Sequence, residues 1–329
     1  MKMKGIQKQQ KQQQHQEHGI GPADFETAIA ATGYGRFNYL LLLVAMPCCI
    51  GTVFETTTMS YVLPSAECDL RLSLVDKGTL NAVTYGGMIT SAFLWGFLSD
   101  TYGRKRLLVY GFLLDATFNV LCATSQSVVA IMIFKFMGGF IICGPFAVLM
   151  AYLSEFHSLQ HRSRVMMTVG IFYSIANVLL PSLAWAIIPQ AGWDFTLLDG
   201  KLAIHSWQIF LAVCCLPSLL SGACCMFFPE SPKFLMAKGR NEQAMAVFRT
   251  LYALNTGCSR EDYPIKELVD ETAISSDETI QKDRKEVPQK APTISGLRSF
   301  QDQMKSMFGK THLKNSLMAY SIQFGILFG

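Results

Sequence analysis

Three ionisable residues interrupt long apolar stretches of this 329-residue chain, and they are the first candidates for chemistry. Glu55, Asp115 and Lys135 each lie among mainly hydrophobic neighbours. An ionised group in apolar surroundings is unfavourable unless it is paired, protonated or hydrated, so such residues commonly bind protons, cations or charged solutes. The sequence therefore indicates a polar site inside an otherwise apolar structure.

Each of these residues has more than one interpretation. Glu55 either binds a proton or cation in a central cavity, or lies close enough to the outer end of its helix to reach water. Lys135 either faces the cavity, where it would pair with Glu55 or contact an anionic solute, or extends its long side chain to the membrane interface. Asp115 could form a small polar patch with its neighbours Thr117 and Asn119.

Apolar stretches of membrane-spanning length make up most of the chain between residues 40 and 228. Half of all residues are hydrophobic and 16% are charged, whereas a soluble domain has about 25% charged residues. Windows that reach the length of about 20 residues needed to cross a bilayer lie at 40–62, 79–98, 107–124, 128–153, 165–188 and 207–228, and a seventh begins near Asn315. Because lipid offers the backbone no hydrogen-bond partner, these spans must be helices, and we predict an all-α membrane protein.

The distribution of basic residues predicts the orientation of these helices. Lys and Arg concentrate in the amino-terminal tail and in the loops after the second and fourth windows, as Lys2, Lys4, Lys8, Lys11, Arg36, Arg104, Lys105, Arg106, Arg162 and Arg164. The alternate loops carry only Arg71, Lys77 and Lys201. Since basic loops stay on the cytoplasmic side, the amino terminus is predicted to be cytoplasmic. The net charge of +4 reflects this bias and gives no reason to expect a nucleic-acid partner.

A second group of charged residues lies in the short loop between the second and third windows. Residues 96–108 read G-x-x-x-D-x-x-G-R-K-R-x-L. Five residues of this pattern lie together at one helix–loop–helix junction: Gly96, Asp100, Gly103, Arg104 and Lys105. A charge at such a junction can pair with another helix end in one conformation and lose that partner in another, and it then acts as a conformational latch. The alternative is a solvated loop that only fixes topology.

Two further segments carry charged residues at predicted helix ends. Glu230 and Lys233 lie in a Pro-Glu-Ser-Pro-Lys run whose prolines end the sixth window. Glu155 and Arg162 flank the turn after the fourth window. We expect one cytoplasmic charge cluster formed by Asp100, Arg104, Glu155, Arg162 and Glu230. Because an exposed ion pair contributes about 0–1 kcal/mol, only a network that forms in one state and breaks in the other would act as a gate.

These three segments resemble motifs of the major facilitator superfamily of transporters. Residues 96–108 are similar to its loop between helices two and three. Residues 229–235 are similar to the Pro-Glu-Ser-Pro-Arg signature that ends helix six in sugar-porter-like members, with Lys233 in place of Arg. Residues 135–162 resemble helix four and its following loop, with Lys135 where Arg is usual. Lys keeps the charge of Arg but loses its bidentate geometry, so pairing by Lys233 is expected to be weaker.

Within the superfamily, the chain resembles the synaptic vesicle glycoprotein 2-like branch of the sugar-porter and organic-ion-like group. The resemblance lies in residues 55–70 and in the Lys77-Gly78 pair before the second window. It implies a six-helix amino-terminal bundle, plus the start of a seventh helix, from a carrier whose second half is related to the first by pseudo-symmetry. A solute site between the two halves would be at most half formed in this chain.

We predict four segments along the chain. They are a disordered, Gln/Lys-rich cytoplasmic tail at 1–36, a six-helix bundle at 37–228, a cytoplasmic segment at 229–314 and the start of helix seven at 315–329. Within the cytoplasmic segment, residues 241–254 and 297–308 have the apolar spacing of amphipathic helices. Residues 260–292 are acidic and poor in aromatics, which is typical of a flexible linker.

The leading hypothesis for function is transport of a small organic solute, either an organic ion or a sugar-like molecule, by alternating access. The chain would be the amino-terminal portion of a secondary carrier in the plasma membrane or a secretory vesicle membrane, with a coupling proton or cation. The alternative is a non-transporting scaffold or regulator that binds a cytosolic protein through residues 229–314.

No signature of an enzyme is present in the sequence. It lacks the G-x-x-x-x-G-K-[ST] phosphate loop, so ATP-driven transport is not indicated. His157 and His161 have no H-E-x-x-H frame around them, and we expect them to be solvated rather than to bind a metal ion. We therefore predict no catalytic residue, no cofactor and no metal site.

Overall fold

The computed structural model describes residues 22–190, 193, 195–197 and 202–269. Its longest helices form a bundle, and a group of smaller elements packs at one end of it. The helices of the bundle are Arg36–Thr57 (α2), Met59–Leu70 (α3), Leu74–Tyr102 (α4), Arg104–Ala123 (α5), Val128–Glu155 (α6), Leu159–Ile187 (α7), Ser206–Cys214 (α8) and Leu216–Cys225 (α9). The smaller elements are Phe25–Ala31 (α1), Pro232–Ala237 (α10), Asn241–Thr256 (α11) and a 3₁₀ turn at Arg260–Asp262.

Five helical segments are long and apolar enough to cross a membrane among the residues that the structure describes. They are α2, α5, α6, α7 and the stretch Ser206–Cys225, which combines α8 and α9. The predicted span at 79–98 lies within α4, which has 29 residues and is long enough, but α4 is not one of these five segments. The predicted helices at 297–308 and 315–329 lie outside the described residues. The predicted all-α membrane fold is confirmed.

The interior of the bundle contains two apolar clusters. One lies towards the end that carries the α4–α5 turn, and it includes Phe37, Phe112 and Phe156. The other lies towards the opposite end and includes Phe54 and Trp207. We call the end with the α4–α5 turn the basic end, after the basic residues of its loops.

Glycines bring α4 and α6 into close contact. A Cβ atom at Gly139 would overlap the carbonyl oxygen of Thr84, and one at Gly144 would overlap the ring of Trp95. The indole Nε1 of Trp95 donates a hydrogen bond to the carbonyl oxygen of Phe140 at 2.7 Å. Because the backbones approach so closely, small residues at these positions are required for the packing of the two helices.

The tail that was predicted to be disordered at 1–36 contains a short helix. α1 buries Phe25 and Ile29 in the apolar cluster at the basic end. Asp24 caps this helix by accepting a hydrogen bond from the amide of Thr27 at 3.2 Å. The prediction is wrong for this part because a seven-residue helix is too short to give a clear periodic pattern. Residues 1–21 lie outside the described part of the chain.

The predicted flexible linker begins with ordered residues. Tyr263 and Leu268 are buried, and the Tyr263 hydroxyl donates to the carbonyl oxygen of Ala28 at 2.7 Å. Leu268 also forms a parallel bridge with Ala23. The prediction of a flexible linker is therefore wrong for residues 260–269, while 270–292 lie outside the described residues.

Asn255, near the end of α11, holds the start of α2. Its Oδ1 accepts a hydrogen bond from the amide of Phe37 at 3.0 Å. Its Nδ2 donates to the carbonyl oxygen of Gly33 at 3.1 Å and to Oδ1 of Asn38 at 3.0 Å. Gly35 passes so close that a Cβ atom there would lie 2.6 Å from the Asn255 carbonyl oxygen. These contacts join two helices that are far apart in the sequence.

A short antiparallel hairpin lies between α7 and α8, and the all-α prediction did not include it. Its strands are Phe195–Leu197 (β1) and Leu202–Ile204 (β2), with Phe195 opposite Ile204 and Leu197 opposite Leu202. Strands of three residues are too short to give an alternating pattern that could be read from the sequence.

Candidate functional site

Glu55 of α2 and Lys135 of α6 form an ion pair inside the bundle. Lys135 Nζ donates to Glu55 Oε2 at 2.8 Å, and each side chain is 1% exposed. Lys135 Nζ also donates to Asn119 Oδ1 of α5 at 3.1 Å. Of the alternatives that the sequence left open, Lys135 pairs with Glu55 and does not reach the interface, and Glu55 does not reach water.

Asp115 lies in the same region of the bundle and has its own partner. Ser218 Oγ of α9 donates to Asp115 Oδ2 at 2.6 Å, and Asp115 is fully buried. Asn119, one turn later on α5, donates to the carbonyl oxygen of Asp115 at 3.1 Å. Asn119 therefore links Asp115 to Lys135. Thr117, which the sequence grouped with Asp115, is exposed and does not belong to this buried network.

Side chains of this network fit against glycines, and its two carboxyl groups keep free acceptor oxygens. A Cβ atom at Gly138 would overlap Glu55 Oε1, and one at Gly51 would lie 2.6 Å from Ser218 Oγ. Glu55 Oε1 and Asp115 Oδ1 are both buried and have no hydrogen-bond partner among the residues that the structure describes. Two acidic groups, one basic group and two unsatisfied acceptors are thus enclosed together, an arrangement able to bind a proton or a small cation.

Ser218 completes the site, and the sequence analysis did not identify it. One small hydroxyl residue in an apolar stretch is a weak signal, because such residues commonly serve packing between membrane helices. A stronger signal was available in the spacing. The buried residues of α9 are Ser218, Ser221, Gly222 and Cys225, so small residues follow the i, i+3, i+4, i+7 pattern of one helix face.

Arg104, the first residue of α5, contacts residues of three other helices at the basic end. Its Nη2 lies 3.5 Å from Asp100 Oδ1 of α4, and its Nε lies 3.3 Å from Glu155 Oε1 of α6. Nη1 donates to the carbonyl oxygen of Ser99 at 3.1 Å. The guanidinium carbon also lies 5.2 Å from the ring centre of Phe234 on α10. Arg104 therefore connects the ends of α4, α5, α6 and α10.

Glu230 caps α5 through backbone hydrogen bonds. Its Oε1 accepts from the amides of Arg104 at 2.9 Å, Lys105 at 3.0 Å and Ser231 at 2.9 Å. The carboxylate thereby satisfies free N–H groups at the start of the helix and interacts favourably with the helix dipole. Gly103 permits this approach, because its φ is +94° and a Cβ atom there would lie 2.5 Å from Glu230 Oε2.

The remaining residues predicted for the latch and the charge cluster make other contacts. Arg162 Nη2 donates to Glu26 Oε1 of α1 at 2.8 Å. Lys233 Nζ lies 5.5 Å from the ring centre of Phe25, and a Cβ atom at Gly96 would meet only open space. The residues that the structure brings together are Asp100, Arg104, Glu155 and Glu230. Arg162 instead pairs with the short helix that the sequence analysis did not predict.

Replacing Glu230 by alanine is expected to lower the stability of the protein by about 1–2 kcal/mol, because the start of α5 loses its capping carboxylate. The melting temperature of the purified protein in detergent micelles measures this. Glu242→Ala is a matched control, because Glu242 is an exposed carboxylate in the first turn of α11. Equal melting temperatures for the two variants would contradict the capping role of Glu230.

His157 is buried at the basic end, so the expectation that it is solvated is wrong. His157 is 1% exposed, and its Nδ1 lies 2.7 Å from the carbonyl oxygen of Leu153. Its Nε2 has no hydrogen-bond partner in the described ranges of the chain. Burial lowers the pKa of His157 below its ordinary value, and the nearby His161 and Arg162 lower this pKa further, although the Leu153 carbonyl opposes them. The folded protein therefore favours the neutral imidazole.

Acid is expected to destabilise the protein through His157. Since the pKa of His157 is lower in the folded state than the unfolded value of about 6.5, stability is fully present above that pH and is lost as the pH falls below it. Melting temperatures measured across this range should fall less steeply for His157→Gln than for the native protein. His161→Gln is the control, because His161 is only partly buried. Equal slopes for the native protein and His157→Gln would exclude this contribution.

Comparison with known proteins identifies the family. A family model described as Major Facilitator Superfamily matches residues 36–328. Synaptic vesicle glycoprotein 2B of Rattus norvegicus is 34% identical over 231 residues, which are 70% of this chain and 34% of that protein. Synaptic vesicle glycoprotein 2A of Mus musculus is 32% identical over the same length, which is 31% of that protein.

Solved structures have the same fold. The proton:xylose symporter XylE bound to 6-bromo-6-deoxy-D-glucose matches with a TM-score of 0.58 and 20% identity, over 75% of this chain and 54% of that one. The inward open conformation of XylE from E. coli matches with a TM-score of 0.56 and 19% identity, over 75% and 56%.

The chain belongs to the Major Facilitator Superfamily. This confirms the superfamily that the three motifs indicated, and the curated relatives confirm the resemblance to the synaptic vesicle glycoprotein 2-like branch. The chain spans about a third of the length of these curated relatives, at 34% and 31%.

Proposed function

We propose that the protein is a secondary carrier that moves a small organic solute across a membrane by alternating access, with this chain as its amino-terminal part. The observation that carries the proposal is the buried set Glu55, Lys135 and Asp115. Charged groups inside membrane helices are costly and commonly mark the pathway of a solute or ion. A scaffold that acts only through its exposed segments would have no need of them.

An organic ion or a sugar-like molecule is the solute class that fits the network best. Glu55, Lys135 and Asn119 offer a carboxylate, an ammonium and an amide, which can exchange their mutual contacts for contacts with hydroxyl or charged groups of a solute. The description of XylE as a proton:xylose symporter supports a polar solute coupled to a proton.

The contacts of Arg104 support the alternating-access part of the proposal. Asp100, Glu155 and Glu230 hold this residue from three separate parts of the chain. Such a set can form in one conformation and separate in another, as rocking of a transporter requires. The basic end would face the cytoplasm, since basic loops are retained there, in either the plasma membrane or a secretory vesicle membrane.

Uptake into vesicles tests the proposal. The full-length protein would be reconstituted and assayed with labelled xylose, glucose, tetraethylammonium and glutamate under an inward proton gradient. We expect uptake of at least one compound above that of empty vesicles. The variant Glu55→Gln/Lys135→Met removes both charges together and should abolish this uptake, while Thr117→Val on the exposed face of α5 should retain it. Absence of uptake for every compound would instead favour the non-transporting scaffold.

A further inference from the structure

Glu55 forms a hydrogen bond with a cationic side chain, whereas Asp115 forms none with a cation among the described residues. Glu55 is neutralised by Lys135 at 2.8 Å. Within the described part of the chain, the side-chain partner of Asp115 is the Ser218 hydroxyl at 2.6 Å, and Asp115 Oδ1 is buried without a partner. The network therefore contains two carboxyl groups and one ammonium group, and it would carry one uncompensated negative charge if both acids were ionised.

The surroundings of Asp115 make an ionised form unfavourable. The residue is fully buried, and the charged and titratable groups that act on it electrostatically, among those described, are Glu55, Lys135 and the thiol of Cys215. The charges of Glu55 and Lys135 largely compensate each other because they form a close pair. One hydroxyl hydrogen bond does not replace the hydration that a carboxylate loses on burial, so the group is expected to be neutral.

We propose that Asp115 carries a single proton in this conformation, and that this proton is released to water when α9 separates from α5 or α2. The carboxylic acid O–H bond breaks, the proton passes to water, and the buried network gains one negative charge. The distance of 2.6 Å to Ser218 is within the ordinary range for an O–H···O hydrogen bond to a carboxylic acid. As the coupling site of a carrier, this assignment rests on the proposed transport function.

Close packing favours a proton over a metal cation. Gly51 of α2 lies so near Ser218 that a Cβ atom there would be 2.6 Å from its Oγ. Gly222, one turn later on α9, lies so near α5 that a Cβ atom would be 2.7 Å from Leu113 Cγ. A sodium ion needs several oxygen ligands around it, whereas a proton requires only the carboxyl group itself. Because the helices touch at both positions, we expect water to reach Asp115 when they move apart.

Infrared spectroscopy of the resting full-length protein tests the site without any transport assay. At neutral pH in detergent micelles we expect the carbonyl band of a protonated carboxylic acid, shifting on transfer to D₂O, and we expect Asp115→Asn to lose it. If that variant does not fold, Ser218→Ala provides the second test, since removal of the hydrogen bond should shift the band. Thr117→Val on the same helix is the control and should retain the band unchanged.

Five outcomes would overturn the assignment. They are a native protein without the band, a band that persists in Asp115→Asn, a band that is unmoved in Ser218→Ala, a band that never shifts in D₂O, and a band that grows when sodium is replaced by choline. The last result would mean that a sodium ion occupies the site. A band that behaves as expected without any solute uptake would leave the proton site standing and remove the transport proposal, so the two failures are distinguishable.

Discussion

Replacing Lys135 by methionine is expected to destabilise the protein by about 3–5 kcal/mol, the largest effect of any substitution considered. The variant leaves Glu55 without its counter-charge in a site where both side chains of the native pair are 1% exposed, so the cost of burying the carboxyl group is no longer offset. Denaturant unfolding of the purified protein in micelles measures the loss. Breaking an exposed ion pair costs about 0–1 kcal/mol. A loss of stability no larger than this for Lys135→Met would contradict the burial of the ion pair.

A double variant separates the effect of the two charges on stability from the effect of side-chain size and shape. Glu55→Gln/Lys135→Met removes both charges, and since a buried pair can often be replaced by uncharged residues at little cost, it should recover most of the stability lost by Lys135→Met alone. Recovery would show that the penalty arises from an isolated charge. A double variant as unstable as the single one would instead attribute the loss to packing around the lysine side chain.

Substitution of Gly87 by alanine is expected to disrupt the contact between α4 and α6. A Cβ atom there would overlap the carbonyl oxygen of Phe136 and lie 2.7 Å from the amide nitrogen of Phe140. These are backbone atoms of a helix, so one helix must shift, and overpacking of this kind costs about 1–3 kcal/mol or more. The melting temperature and the yield of folded protein should both fall.

The neighbouring Gly86 provides a matched control. A Cβ atom at Gly86 would have no atom of the described residues within 4 Å. Alanine is favoured over glycine inside a helix by about 1 kcal/mol, so Gly86→Ala should leave the melting temperature unchanged or raise it. A loss of stability equal to that of Gly87→Ala would show that helix α4 tolerates alanine poorly for reasons other than contact with α6.

Part of the buried site could be predicted from the sequence. An acid and a base within apolar stretches must be compensated, so Glu55 and Lys135 were candidates for each other before any contact was known. Ser218 could not be found in this way, because a hydroxyl residue in a helix carries no such requirement. The network depends on which faces of α5 and α9 meet, and hydropathy along the chain does not determine that.

At the basic end, the sequence predicted which residues lie close together better than it predicted which atoms they contact. Asp100, Arg104, Glu155 and Glu230 lie together, but Glu230 accepts backbone N–H groups rather than the side chain of a base. Arg162 pairs with Glu26, on a helix that was too short to predict. Charge patterns identify residues that need partners, whereas the choice among several nearby partners depends on distances of a few ångströms.

The link between Asn255 and the start of α2 has a consequence for synthesis. Asn255 contacts Gly33, Phe37 and Asn38, which lie 222, 218 and 217 positions earlier in the chain and are therefore synthesised well before it. Contacts between such distant positions form late, after the intervening chain has been produced. We therefore expect α2 to enter the bilayer before its own amino-terminal end is fixed. The contacts of Asn255 with the start of α2 can form only after α11 has been synthesised.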